Sequence, residues 1–151
     1  MMKVAPPQIS IPDERKSPLT PGTSSKPSVL IVDDEAGPRE ALKMILRPFF
    51  NLHAVDSSAA ARQVLREHTI DVVTLDLKLP DGNGMDLLQE IKQDHEHVEV
   101  IIITGYGSLK SATDGIRHGA AGYLLKPFNV MELIEIVTRA LEKKRRLDGC
   151  L

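Results

Sequence analysis

One cysteine in 151 residues, Cys150 beside the C-terminus, excludes an internal disulfide framework. A reducing compartment is the natural reading, and an exposed terminal thiol is expected there rather than a reactive one. Long apolar runs are missing as well. The longest are a few residues, far too short for a helix that spans a bilayer. No apolar h-region opens the chain, so no secretory signal is legible, and a cytoplasmic location without membrane attachment is expected. Net charge is also scarce. Lys and Arg number 19 against 21 Asp and Glu, and the balance of −2 gives no ground for direct nucleic-acid binding or attraction to anionic lipid. What is present, 42% hydrophobic and 26% charged residues, suits one soluble globular domain with a single core.

The first 27 residues hold six of the ten prolines and show no sustained periodicity. That composition buries too little apolar surface to offset chain entropy, so residues 1–27 are expected to be a disordered arm. From Ser28 the pattern changes. Strands are expected over 28–33, 51–55, 71–76, 98–104 and 122–126, with helices over 35–49, 58–68, 84–95, 108–119 and 130–147. Pro38 falls in a first helical turn, where its missing N–H costs little. Asp56 or Ser57 is expected to cap the second helix, and Gly119 to stop the fourth. Inward positions are expected at Leu42, Ile45 and Leu46, at Met85, Leu88 and Ile91, and at Leu133, Ile134, Val137 and Leu141. Strands apolar on both faces and alternating with helices imply an α/β fold, a doubly wound five-stranded parallel sheet with helices on both faces.

In such a sheet, ligands bind beyond the carboxyl ends of the strands, where strand order reverses. The expected strand ends carry Asp33 and Asp34, Asp76, Thr104 and Lys126. Each alone has an ordinary reading: Asp34 as a helix cap, Asp76 as a turn residue, Thr104 as a strand terminus, Lys126 as a solvated end. Together they are three carboxylates, a hydroxyl and an ammonium on one rim. Three close carboxylates repel and ask for a divalent cation, and all-oxygen ligation favours Mg2+. Lys126 and Thr104 then face an anion. The set suits phosphoryl transfer to a carboxylate nucleophile.

Four motifs, "VDDE" (32–35), "LDLKLPDGNGMDLL" (75–88), "IIITGYGS" (101–108) and "GYLLKPF" (122–128), make the segment resemble the receiver domain of two-component response regulators. The resemblance covers about 28–147, leaving 148–151 as a C-terminal tail. It implies a flavodoxin-like (βα)5 fold with strand order 2-1-3-4-5. It further implies that Asp76 is the phosphoacceptor and that Asp33, Asp34, Asp76 and the Lys78 backbone carbonyl hold Mg2+. Lys126 would pair with the phosphoryl group, Thr104 would hydrogen-bond it, and Tyr123 would turn inward as Thr104 moves. A cis Lys126–Pro127 bond is implied too. The implied partner is a sensor histidine kinase or phosphotransfer protein. The implied output is a surface of helix four, strand five and helix five, which is also a candidate homodimer face. The chain would be a stand-alone receiver or the receiver portion of a larger regulator, a phosphoacceptor that assists its own chemistry rather than an enzyme.

Two alternatives are set against this. An aspartyl-phosphate phosphatase of the haloacid dehalogenase type resembles D-x-D, but Lys78 stands two after Asp76 and cannot serve as general acid and base there. A degenerate receiver used only for protein binding would not need the intact acidic cluster. Lys78 and Tyr106, each two residues after a site residue, are expected to border the water approach and lengthen the phosphoryl lifetime. "TGYG" (104–107) resembles a potassium-filter signature without a membrane span, so Gly105 and Gly107 are expected simply to let backbone approach the site. "HEH" (95–97) is expected to be an exposed loop, and "EKKRR" (142–146) a solvated helix end.

Overall fold

The computed structural model describes residues 26–149. Of the N-terminal arm, residues 1–25 lie outside the described residues, as does Cys150. Five strands, β1 (Ser28–Val32), β2 (Asn51–Val55), β3 (Val72–Leu75), β4 (Glu99–Thr104) and β5 (Gly122–Leu125), alternate with five helices. These are α1 (Ala36–Leu46), α2 (Ser58–Glu67), α3 (Gly84–Asp94), α4 (Leu109–Arg117) and α5 (Val130–Gly149). The strands are all parallel and lie in the order β2-β1-β3-β4-β5, as the resemblance implied. Order therefore reverses between β1 and β3. A two-residue ladder, Lys78–Leu79 against Gly82–Asn83, adds a small hairpin between β3 and α3.

Alternate residues along each strand feed two cores. On one face Leu30, Val32, Val73, Leu75, Val100 and Ile102 pack with Ala61 and Leu65 of α2 and Leu87, Leu88 and Ile91 of α3. On the other, Val29, Ile31, Val72, Ile101 and Ile103 pack with Leu42 and Leu46 of α1 and Leu133, Val137 and Ala140 of α5. Each fully buried Leu or Ile contributes roughly 1.5–3 kcal/mol, so the sheet is a stiff platform for its loops. Helix α4 joins the first face but buries only Gly115, which sits against Ile102.

Several sequence expectations shift. Helix α1 ends at Leu46 rather than 49, because Pro48 has no N–H to donate to Met44. Ile134 and Ile136 are both half-buried, and of the two it is Ile136 that packs against the core. The other expected inward positions of α5, Leu133, Val137 and Leu141, are buried. Ser57, not Asp56, caps α2, accepting the Ala60 N–H at 3.1 Å. Helix α4 ends as expected at Gly119, which follows the His118 C-cap at φ +98° with its N–H on Ile116 O and the Ala120 N–H on Gly115 O, and Ser108 and Ser111 close a capping box at its start. The "EKKRR" segment lies within α5, and Lys144 there is not a solvated cation: its ammonium lies 3.6 Å from Asp71. His95, Glu96 and His97 follow the end of α3, as expected of a loop. No described helix is long and apolar enough to cross a membrane.

Candidate functional site

Every residue singled out on the rim sits at the carboxyl end of a strand. Asp33 follows β1, Asp76 follows β3, Thr104 closes β4 and Lys126 follows β5. Their backbones are locked by the ladder: the Asp33 N–H donates to Val55 O, the Asp76 N–H to Val32 O, and the Lys126 N–H to Thr104 O, at 2.9–3.0 Å. Gly84 completes the floor. A Cβ there would lie 2.2 Å from the Asp76 carbonyl oxygen, so only glycine lets α3 start beside the phosphoacceptor candidate.

Lys126 is the hub. Its ammonium lies 2.8 Å from Asp33 Oδ2, 2.9 Å from Asp76 Oδ2 and 3.0 Å from Glu35 Oε1. Asp33 and Asp76 are each 1% exposed, and burying them is tolerable only because this cation meets them. Burial works against the ammonium, but the three carboxylates outweigh it and hold the Lys126 pKa above its ordinary value. For Asp33, burial dominates and raises the pKa despite the Lys126 contact and the Glu35 N–H. Thr104 donates its hydroxyl to Asp76 Oδ1 at 2.9 Å and accepts the Tyr106 N–H at 3.1 Å. The Lys78 N–H donates to the same Asp76 oxygen at 3.3 Å.

Asp34 is exposed and stands apart from these bonds, yet it belongs to the cluster. Oxygens of Asp33, Asp34 and Asp76 lie within 4.8 Å of one another, the only such group of three among the described residues. Three hard anionic oxygens at that spacing fit a small divalent cation, and nothing in the donor set invites a softer metal. The "HEH" histidines stand outside this cluster.

Tyr123 is half-buried against the core, and its hydroxyl lies 2.6 Å from Ser111 Oγ of α4. Ser111 Oγ already accepts the Ser108 N–H and donates to the Ser108 carbonyl. The hydroxyl pair ties β5 to the cap of α4. Lys78 and Tyr106 meet each other: the ammonium stands 4.6 Å from the ring centroid. Both line an open cavity of about 490 Å³ between the β3–α3 loop and α4. The expectation for the two glycines of "TGYG" holds in altered form. A Cβ on Gly107 would strike Tyr123 and Leu125, whereas one on Gly105 would make ordinary contact only. Lys126–Pro127 is cis.

Two participants escaped the sequence reading. Glu35 was read as the start of a helix, although it stands in the quoted "VDDE". Asp81 carries no expectation of its own within the quoted 75–88 motif, but its carboxylate accepts the N–H groups of Ser58 and Ala59.

A parallel doubly wound sheet with a lysine-bridged acidic crevice at its reversal point defines a class of signalling α/β domains. The chain belongs to the response regulator receiver domain family, whose model matches residues 29–138. It is 39% identical to the response regulator protein PilR of Pseudomonas aeruginosa over 118 residues, 78% of this chain and 26% of PilR. Among solved structures, it resembles the signal receiver domain of a LuxO repressor protein from Vibrio parahaemolyticus. That match has 31% identity and a TM-score of 0.79, and covers 83% of this chain and 97% of that one. It also resembles a beryllofluoride-activated NtrC4 receiver domain dimer at 32% identity and a TM-score of 0.74, over 78% of this chain and 98% of that one. The chain spans about a quarter of the length of curated relatives such as PilR and FleR, 26% and 24%. It is a receiver domain of two-component signalling, and the flavodoxin-like fold and parallel order expected of it are those observed.

Proposed function

We propose that residues 28–147 form a receiver that takes a phosphoryl group onto Asp76 from a sensor histidine kinase or phosphotransfer protein. The single observation that carries this is the pairing of buried Asp76 with Lys126 and Thr104 at the reversal crevice. In the step, an Asp76 carboxylate oxygen attacks phosphorus. The phosphorus–nitrogen bond of the donor phosphohistidine breaks, and the imidazole leaves with the electron pair. Asp33, Asp34, Asp76 and the Lys78 carbonyl are the residues assigned to Mg2+. When bound, Mg2+ would offset charge on the carboxylates and incoming phosphoryl oxygens. Lys126 supplies a fixed positive charge for the phosphoryl group, and the Thr104 hydroxyl, now on Asp76 Oδ1, turns its donation to a phosphoryl oxygen. The transfer is a receiver's own chemistry on itself, not turnover of a free substrate.

Phosphorylation adds about −1.5 to −2 charge. Drawing Thr104 toward it frees space for Tyr123, whose inward turn breaks the bond to Ser111. Helix α4, with a single buried residue, is the element that gives way at least cost. The output surface is then α4–β5–α5, where Leu109, Leu125 and Met131 stand 84%, 53% and 71% exposed. A homodimer through that face is supported by these side chains and by the dimer known for the NtrC4 receiver. Residues 1–27 act as an arm dispensable for phosphoryl acceptance; the expected tail of 148–151 is shortened, because α5 runs on to Gly149. The cytoplasm is the proposed location.

Beryllofluoride, a phosphoryl mimic, tests the site. With Mg2+ it should shift the backbone amide resonances of Thr104, Tyr123 and α4 in the wild type, and not in Asp33→Asn. Equal shifts in that variant would overturn the metal assignment.

A further inference from the structure

The β3–α3 loop carries Lys78, whose carbonyl is the backbone member of the proposed metal set, and it is held at two places. At its base the Lys78 N–H donates to Asp76 Oδ1 and the Gly84 N–H to Leu77 O at 2.7 Å. At its tip the fastening is to a different element altogether. Leu79, 7% exposed, packs in the core that includes Ala61 and Leu65 of α2. Two residues on, the exposed Asp81 receives the Ser58 N–H on Oδ1 at 2.9 Å and the Ala59 N–H on Oδ2 at 3.0 Å. Each carboxylate oxygen thus takes one of the free donors of the first turn. These donors hold the Asp81 carboxyl below its usual range, so the anion is engaged rather than idle.

Helix α2 does not depend on this contact for its start, because Ser57 caps it locally. The loop has no such substitute. Between Leu79 and Gly84 its side chains are exposed, the Leu79–Gly82 pairing lies within the loop itself, and beyond the buried Leu79 side chain the tip is joined to the body through Asp81. A backbone ligand on an unfastened loop must be ordered when the cation arrives, and that cost weakens binding.

We infer that Asp81 is a positioning residue for the metal site: by clamping the loop tip to the N-terminus of α2, it fixes the Lys78 carbonyl where the cation needs it. This rests on the reading of Asp33, Asp34, Asp76 and Lys78 as a Mg2+ set. No contact between Asp81 and the cation is involved.

Mg2+ titration of the full chain, followed by backbone amide shifts or calorimetry, tests it together with urea unfolding. Asp81→Ala should bind Mg2+ about tenfold more weakly than wild type. Asp81→Asn, which keeps one acceptor and the same shape, should fall between them and guards against a loss of folding in the alanine variant. Ser57→Ala removes a different bond from the same helix end. It should lower stability yet bind Mg2+ as wild type does. Unchanged Mg2+ affinity in both Asp81 variants would overturn the inference, as would an equal weakening in Ser57→Ala, which would indicate general softening of α2. Absence of Mg2+ binding by the wild type would overturn the underlying reading of the acidic site instead.

Discussion

Lys126→Ala should lose on the order of 3–5 kcal/mol of stability in Mg2+-free buffer, the size of effect expected when one partner of a buried ion pair is removed. The reason is geometric. One ammonium serves Asp33 and Asp76 at once, and its own side chain is only 9% exposed, so solvent cannot replace it. Glu35, half exposed, loses less. Without the ammonium, two buried carboxylates face each other across the crevice. Mg2+ should then stabilise the variant more than it stabilises wild type, because the cation takes over part of the lost neutralisation. Phosphoryl acceptance should still fall by roughly a hundredfold or more, since a fixed positive charge at the transferring group is gone. Urea unfolding at two Mg2+ concentrations, with initial rates of modification by acetyl phosphate, checks both halves. Wild-type stability in Mg2+-free buffer would show that the lysine does not neutralise the pair.

The phosphorylated form should be long-lived, and the double variant Lys78→Asn with Tyr106→Glu should shorten its life by roughly tenfold to a hundredfold. Hydrolysis needs water in line with the bond between Asp76 and phosphorus. The two side chains expected to border that approach engage each other, with the Lys78 ammonium over the Tyr106 ring. Tyr106 is further tethered through its N–H to Thr104, the residue bonded to Asp76. Neither side chain can orient an attacking water as an amide or carboxylate can. The bulky ring screens the approach, and the ammonium favours the dianionic phosphoryl ground state. The variant supplies both an amide and a carboxylate. First-order decay at fixed Mg2+ is the measurement. Decay no faster than wild type, with metal affinity retained, would show that the pair does not shield the bond.

The rim was legible because each of its members ends an apolar strand on a polar residue, and strand ends in a doubly wound sheet converge. Asp33, Asp76, Thr104 and Lys126 needed no knowledge of tertiary contacts beyond that rule. Glu35 and Asp81 were not legible as participants. Their roles depend on bonds to residues 91 and 22–23 positions away, and a loop acidic residue gives no local sign of which helix end it will meet. That Ile136 rather than Ile134 packs against the core from α5 has a similar origin, since periodicity fixes the centre of an apolar stripe better than its edges. Lys144 looked like one more cation in a basic run, until folding brought α5 beside Asp71. The link from Tyr123 to Ser111 required knowing both the side-chain direction and the cap of α4.

The central claim is that Asp76 accepts phosphoryl and that a divalent cation is required. Intact-mass spectrometry after incubation with acetyl phosphate, for wild type and Asp76→Asn, with Mg2+ or with chelator, tests it most directly. The account predicts a single phosphoryl adduct on wild type with Mg2+ and none in the other three samples. An adduct of equal extent on Asp76→Asn, or on wild type in chelator, would contradict it.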